Sequence, residues 1–374
     1  ALDSQDDPSI WPVPLLANTK LDTDLLDTSS AVVTFGDGLP IFNQYGSGHF
    51  VTHYTSDDDL GVVIDAIKSG KANTEARINI LNDLMLLARR GDDSLVDALK
   101  LVRSLRDEPR EPVWMLMSRA IGLAGNIGEG DDHIEAGLKS FRVEIAKDQH
   151  QKLGWDDAEK DDPNTKLLRA TMIGLMIGGE DKATIDEAIK RFHEAKDIES
   201  IPSDRRGLIL GAVVRHENNP KTIEQLMTLY SETPNADLQL SLCSALTHTK
   251  DPELASRYLR EGLVKDGFIR PQDSFRWFAY LMRNKHTRDV AWDWLTNNWD
   301  YVESIGKKSI DHWVVYSAGP MQTKAWEDKF RTFFEPKKNI QAITRNIDIA
   351  YAEIAARIAW RERELPKLQK YFAD

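Results

Sequence analysis

The sequence has a single cysteine, no long apolar run and no excess of positive charge. Cys243 is alone among 374 residues, so no intrachain disulfide can form. No stretch reaches the roughly 18 consecutive apolar residues of a membrane-spanning helix, and the opening residues ALDSQDDPSI are too acidic and polar for a signal peptide. The formal net charge of −12 disfavours nucleic acid as a partner, because an acidic surface repels phosphates. These absences predict a soluble globular protein.

The motifs of common catalytic sites are also absent. Zinc hydrolysis on a helix needs His-Glu-x-x-His, which sets two imidazoles on one face, and neither His133 nor His216 has a histidine four residues later. We find no Gly-x-Ser-x-Gly elbow and no glycine-rich phosphate loop. Cys243, in the apolar stretch LQLSLCSAL, is predicted to be a buried small side chain and not a thiol nucleophile. Taken alone, the sequence offers no complete catalytic constellation.

The first 56 residues have a β-type pattern. The runs WPVPLL (11–16), AVVTF (31–35) and GHFVTHY (48–54) are separated by polar turns with glycine or proline. So few strands have little to pack against and leave open edges. We therefore predict a partial β-sandwich domain over residues 1–56, with the remaining strands outside the chain.

From residue 57 to residue 374 the pattern is helical. Apolar residues at i, i+3, i+4 and i+7 form stripes, as with Leu81, Leu84, Met85 and Ala88. Similar stripes recur with short polar links between them, although no strict sequence repeat is present. The pattern predicts a mainly α fold, an α-solenoid of about eight stacked helix pairs.

An acidic triplet opens the helical region. Ser56 is a candidate N-cap, and Asp57, Asp58 and Asp59 would occupy the first turn, where the helix dipole favours negative charge. The alternative is a metal site, but capping explains the triplet with fewer assumptions, and no metal site is predicted.

Three tryptophans fall within the stretch RDVAWDWLTNNWDYV (288–302). Trp292 and Trp299 share one predicted helix face with Leu295, whereas Trp294 lies on the other side. A helix that is apolar on two sides suits an element buried between neighbours. We predict a core role for the tryptophans, with a ligand-lining aromatic box as the alternative.

Several segments, in order, resemble the C-terminal half of the gluzincin zinc aminopeptidases, the family of the puromycin-sensitive, alanyl and endoplasmic-reticulum aminopeptidases. The matching segments are WPVPL (11–15), GHFVTHY (48–54), NDLMLLARRGD (82–92), DALKLVRSLRDEPREPVW (97–114), LGW (153–155), LLRA (167–170), ALTHTKDPELASRYLREGL (245–263), IRPQD (269–273), AWDWLTNNW (291–299), FRTFFEPK (330–337) and the closing IDIAYAEIAARIAWRERELPKLQKYF (347–372). The chain departs from the family at Val51, where an arginine is usual, and at Glu364, where an aspartate is usual.

The resemblance implies a small β-sandwich followed by a HEAT-like bowl that closes over a thermolysin-like catalytic domain. The catalytic motifs and the zinc of that family lie upstream, so this chain is expected to be non-catalytic and to need no cofactor of its own. Its expected partners are the catalytic domain of its parent chain and peptide substrates, which it would help to admit and bind. No compartment follows directly, although a cytoplasmic one is favoured.

The resemblance also suggests where a peptide would bind. Arg169, Arg270 and Arg345 are candidates to hold a peptide carboxylate, since guanidinium groups suit it. The alternative is that each pairs with a neighbouring Asp or Glu. For the whole chain, the alternatives are a free-standing α-solenoid scaffold for partner proteins and an unrelated helical enzyme.

Overall fold

The computed structural model describes residues 10–36, 40–55, 57–306 and 310–373. The N-terminal part has one small sheet, in which β1 (Val13–Pro14) pairs antiparallel with β2 (Leu25–Leu26). Two isolated bridges, Ala17 with Phe42 and Leu21 with Phe35, extend the pairing. Helices fill most of the remaining described chain, so the prediction of a mainly α fold after a small β region is confirmed.

The described residues contain seventeen α-helices. They are α1 (Asp57–Lys68), α2 (Thr74–Arg90), α3 (Leu95–Ser104), α4 (Glu111–Ile127), α5 (Asp132–Leu153), α6 (Pro163–Gly178), α7 (Lys182–Glu194), α8 (Ser203–Ala212), α9 (Pro220–Glu232), α10 (Ala236–Leu246), α11 (Pro252–Arg257), α12 (Pro271–Arg283), α13 (Arg288–Asn297), α14 (Trp299–Gly306), α15 (Ile310–Ala318), α16 (Lys324–Phe334) and α17 (Thr344–Ala373). Wide π-helical turns continue α8 (Val213–Glu217) and α11 (Tyr258–Gly262), and short 3-10 turns span Ile198–Ser200 and Glu335–Asn339.

The chain forms two compact units. The first comprises residues 1–138, 162–171 and 366–374, and the second comprises residues 139–161 and 172–365. Within the first unit, α2 packs on both α3 and α4, and within the second, α10 packs on α8, α9 and α12. In stacked helix pairs, a helix contacts its partner within the pair and also the equivalent helix of the neighbouring pair, as observed here. The boundary at residue 56 that the sequence suggested stays a prediction.

The predicted apolar stripes form the core. Leu81, Leu84, Met85 and Ala88 are all buried on α2. Cys243 is buried on α10 as predicted, and burial raises the pKa of its thiol. Asp251 caps α11, because its carboxylate accepts hydrogen bonds from the backbone N–H groups of Glu253 and Leu254.

Two expectations about local structure were wrong. Residues 31–35 and 48–54 form no strand, and the N–H of Thr52 donates to the buried carboxylate of Asp83 at 2.9 Å instead of to a neighbouring strand. The stretch 288–302 is divided between two helices, because α13 ends at Asn297 and Asn298 is its C-cap. There the side-chain amide donates to the Trp294 carbonyl at 2.8 Å. Ser56, the predicted cap of α1, lies outside the described residues.

The tryptophans belong to the core of the second unit, as predicted. Trp292 packs against the aromatic side chains of α16, and its ring lies 6.2 Å from that of Phe330. Trp294 packs on the other side, 6.2 Å from the ring of Trp313. All three of Trp292, Trp294 and Trp299 are buried, so α13 is covered on two faces.

Candidate functional site

The three arginines predicted from the sequence lie on three separate elements. Arg169, on α6, is 2% exposed. Arg270 precedes α12, and its Nε donates to the Asp273 carboxylate at 2.8 Å while its Nη2 bonds the side chain of Gln239. Arg345 is exposed in the first turn of α17. A role for any of them in peptide binding stays a prediction.

A cavity of about 350 Å³ lies where three stacked elements of the second unit end. The π turn after α8, the end of α10 and the end of α12 form its walls. Its lining residues are Arg215, Ser244, Thr247, His248, Tyr280, Arg283 and Asn284. We call it the basic cavity, because two of its lining side chains are guanidinium groups.

Hydrogen bonds to main-chain carbonyls hold the walls of the basic cavity together. The Asn284 amide donates to the carbonyls of Thr247 at 3.0 Å and Thr249 at 2.7 Å, which ties the end of α12 to the end of α10. Arg215 donates to the His248 carbonyl at 3.4 Å and so joins the π turn to the same point. Asn218, with a φ of 48°, ends that π turn in the left-handed conformation that asparagine tolerates.

Cations outnumber anions around the basic cavity. Near the cavity, the carboxylate of Glu180 pairs with two lysines. It accepts a hydrogen bond from Lys139 at 2.9 Å and one from Lys250 at 3.3 Å. The hydrogen bond from Lys139, with a smaller contribution from Lys250, lowers the pKa of Glu180 to about 2. Among the described residues, no carboxylate forms an ion pair with Arg215 or Arg283. Partial burial lowers the pKa of the Arg215 guanidinium.

A second cavity, of about 330 Å³, has its charges already paired. Trp155, Arg191 and Arg205 line it. Arg191 binds both carboxylate oxygens of Asp156, at 2.6 and 2.8 Å, and Arg205 donates to Asp157 at 2.8 Å. Because both guanidinium groups already pair with carboxylates, this cavity has fewer hydrogen-bond donors available to an anion than the basic cavity has.

The N-terminal segment presents apolar side chains to solvent. Trp11 is 80% exposed and Val32 is 93% exposed. Ile10, Leu25, Phe35, Tyr45 and Val51 are also large, apolar and exposed. We call these seven residues the N-terminal apolar face. Where exposed apolar side chains of this size are contiguous, they mark an interaction surface.

The described ranges lack both a metal-binding cluster and a membrane-spanning helix. Within these ranges, no three His, Cys, Asp or Glu side chains are grouped so that they could hold a metal ion. The side chain of Asp57 lies outside the described part of the structure. The finding on metal ligands therefore applies to Asp58 and Asp59 of the acidic triplet but not to Asp57. No helix in the described part of the chain combines the length and apolarity needed to span a bilayer.

The basic cavity was missed by the sequence analysis, although a signal existed. Arg215, His248 and Arg283 are 33 and 35 positions apart, each at the end of a helical element. Stacked helix pairs repeat at a similar interval of about 34 residues in some solenoids. Side chains at equivalent positions of successive pairs therefore converge on one edge of the stack, which an alignment of the helix ends would have indicated.

Comparisons with known proteins agree with this architecture. Residues 39–356 match the model of the ERAP1-like C-terminal domain family. The chain is 28% identical to an aminopeptidase N of Lactococcus lactis subsp. lactis, over 99% of this chain and 44% of that protein. It is 25% identical to the glutamyl aminopeptidase of Bos taurus, over 80% of this chain and 31% of that protein. It is 24% identical to aminopeptidase M1-A of Oryza sativa subsp. japonica, over 79% of this chain and 34% of that protein.

The chain thus spans less than half the length of the curated relatives that it matches. The family match covers most of the helical part described above, from before α1 to within α17. On this match, the chain belongs to the ERAP1-like C-terminal domain family.

Proposed function

We propose that this chain is the non-catalytic C-terminal region of a zinc-dependent aminopeptidase. In this role it encloses the active-site chamber and helps to admit and bind peptides. The observation that supports the proposal most strongly is the family match over residues 39–356 in a chain that covers 44% of an aminopeptidase N. A cytoplasmic location belongs to the same proposal, since the chain has a single cysteine and no intrachain disulfide.

The proposal assigns zinc to another part of the parent protein. The described residues do not fit a catalytic zinc site, which takes three protein ligands, because no such grouping exists among them. The side chains described here would therefore act on the peptide by binding and exclusion. Restricting access matters for an exopeptidase, since a sequestered active site processes only what can enter it.

The N-terminal apolar face supports contact with a catalytic region. Trp11 and Val32 would each remain in water if the chain acted alone. Covering a large apolar side chain contributes about 1.5–3 kcal/mol. A catalytic region that packs on this face would supply that cover and would hold the chain against the chamber.

The first experiment uses the chain by itself. We expect no stoichiometric zinc by elemental analysis and no release of chromophore from aminoacyl-p-nitroanilides. Hydrolysis that survives purification and is abolished by a chelator would contradict the proposal. In the coding sequence upstream of Ala1, the proposal expects a His-Glu-x-x-His motif, whereas a free-standing scaffold would have none.

The second experiment tests the N-terminal apolar face in the full-length protein. Trp11→Ala combined with Val32→Ser is expected to lower the stability of the full-length enzyme but not that of this chain. The matched control is Leu167→Ala, which removes an exposed leucine from α6. Equal thermal stability of the full-length double variant and its parent would refute contact at this face.

A further inference from the structure

We propose that residues 48–55 form a pH-sensitive strap, which lies closed on α2 while Asp83 is protonated and opens locally when Asp83 is ionised. The strap is the segment without regular secondary structure that leads from the N-terminal β region toward α1. One of its ends is held by contacts that do not titrate, and the other end covers the carboxylate of Asp83.

The first end of the strap is anchored by neutral hydrogen bonds. The backbone of Gly48 exchanges two hydrogen bonds with the side chain of Asn43, at 2.8 and 3.0 Å. The side-chain amide of Asn79, on α2, donates to the Asn43 carbonyl at 2.8 Å and so fixes this end to the helix. Amide groups carry no charge at either limit of the range discussed below, so this end stays in place as the pH changes.

The second end of the strap covers a carboxylate that has no counter-ion. One helical turn after Asn79, the buried carboxylate of Asp83 accepts a hydrogen bond from the Thr52 N–H at 2.9 Å. Tyr54, also on the strap, is close enough to interact with Asp83, but its phenol is neutral because burial raises its pKa to about 12. Within the described ranges Asp83 forms no ion pair, so an ionised carboxylate there has one N–H donor and little water.

A further contact of the strap weakens in the same direction. His53 bonds Asp93, just before α3, at 2.8 Å, and this contact is an ion pair only while the imidazole is protonated. The closed strap also leaves the Thr52 hydroxyl and the second carboxylate oxygen of Asp93 buried, without a hydrogen bond to any described residue. Unpaired buried polar atoms are costly. The closed strap is therefore held with little excess stability, and a change at Asp83 can shift its equilibrium.

The direction of the shift follows from the titration of Asp83. Burial, partly offset by the Thr52 hydrogen bond, raises its pKa to about 6 from 3.8. No charged side chain contributes, so nothing on the described α2, α3 or α4 compensates the carboxylate. The bound proton favours the closed strap, so this stabilisation is complete below about pH 4 and is lost as the pH rises through about 6. The opening equilibrium should increase about a hundredfold across that interval, because each unit of pKa difference is a factor of ten.

A purely structural role does not account for an acid at this position. Asparagine has an oxygen acceptor of similar shape, could bond the Thr52 N–H and would have no charge to bury. Asp83 forgoes that stability and makes the strap respond to pH. Val51 belongs both to the strap and to the N-terminal apolar face, so opening would move part of that face. Only this last consequence rests on the proposed function.

The test measures backbone amide exchange of the 374-residue chain by mass spectrometry at pH 5, 6, 7 and 8. Peptides that cover residues 48–55 report on the strap, and peptides of α4 are the internal reference. At each pH the exchange rate of the parent is divided by that of Asp83→Asn, which cancels both the intrinsic pH dependence of exchange and the contribution of His53. The matched control is Asp65→Asn, which removes an exposed carboxylate of α1.

We expect the strap ratio to rise about tenfold between pH 5 and pH 8 and to level off above about pH 7, since most of Asp83 is then ionised. The α4 ratio, and the strap ratio taken with Asp65→Asn, should stay constant. A strap ratio that does not change with pH would overturn the proposal, and so would an equal rise in α4, which would reflect unfolding of the whole unit. Should Asp83→Asn fail to fold, the ratio of strap to α4 exchange within the parent decides in the same way.

Discussion

The side-chain amide of Gln369 donates a hydrogen bond of 2.8 Å to the carboxylate of Asp131, across 238 positions of sequence. The next turn of α17 strengthens this connection, because the ring of Phe372 lies on the backbone of α5 at Gly137. The guanidinium of Arg103 on α3 lies 5.3 Å from the ring of Tyr371. The last residues of the chain are therefore part of the first unit's packing.

This contact predicts the effect of filling the space at Gly137. A Cβ at that position would lie 2.5 Å from the Phe372 ring and 2.9 Å from its Cβ, so the end of α17 would have to move. We expect Gly137→Leu to lower the free energy of unfolding by about 1–3 kcal/mol. The control is Gly122→Leu on α4, where nothing lies within 4 Å of the new Cβ. Equal urea midpoints for the two variants would contradict the packing.

The two-sided burial of α13 predicts a large cost for loss of Trp292. The ring packs among four aromatic side chains of α16. Trp292→Ala is expected to destabilise the chain by about 3–5 kcal/mol, measured by chemical denaturation. Trp11→Ala is the matched control, because Trp11 is exposed, and it is expected to change stability by less than about 0.5 kcal/mol. Similar losses of stability in Trp292→Ala and Trp11→Ala would contradict a core role for Trp292.

Asp83 predicts a loss of stability as the pH rises. Burial raises its pKa to about 6 from 3.8, so the folded chain keeps a proton that the unfolded chain has lost. Stability attributable to this group falls between about pH 4 and pH 6. Asp83→Asn is expected to raise the free energy of unfolding at pH 7 by roughly 1–3 kcal/mol and to flatten the pH profile in that range.

A second variant separates charge from hydrogen bonding at the same position. Asp83→Leu also removes the charge, but it removes the acceptor for the Thr52 N–H as well. We expect it to be less stable than Asp83→Asn, since an unpaired buried N–H is costly. If both variants matched the parent at every pH, the interpretation of Asp83 would be wrong.

Glu180 predicts the opposite pH dependence. Its pKa is about 2 in the folded chain, below the ordinary 4.5, so its contribution is present above pH 4.5 and is lost as the pH falls toward 2. The group is partly exposed, so Glu180→Gln is expected to cost less than about 1 kcal/mol at pH 7. Urea unfolding between pH 3 and pH 7 should show a shallower acid decline for the variant. An unchanged slope would count against the pairs with Lys139 and Lys250.

Much of the helical fold was predictable, because periodic burial depends on local spacing. Leu81, Leu84, Met85 and Ala88 belong to one stripe in both the sequence and the structure. The cap at Asp251 was also predictable, since proline at the next position leaves no N–H unpaired. The break at Asn298 was not, because it depends on a side chain that bonds its own helix end.

The strands were less predictable, because a strand needs a partner that the sequence pattern does not specify. Residues 48–54 have strand-forming side chains, yet the Thr52 N–H donates to the carboxylate of Asp83, which lies on helix α2.

The candidate site was even less predictable from the sequence than the strands were. Arg215 and Arg283 lie on different helix pairs, and their meeting depends on how the pairs stack. Arg270 was the more obvious choice and pairs with its neighbour Asp273.

The discontinuous first unit bears on how the polypeptide is made. Its residues 1–138 are synthesised before most of the second unit, but its residues 366–374 are synthesised after the second unit. Domains generally fold as units while synthesis proceeds. The hydrogen bond between Asp131 and Gln369 cannot form until the second unit has been synthesised. The nascent first unit therefore stays incompletely packed until the second unit has emerged, and a truncation that removed residues 366–374 would loosen packing more than 200 positions earlier in the sequence.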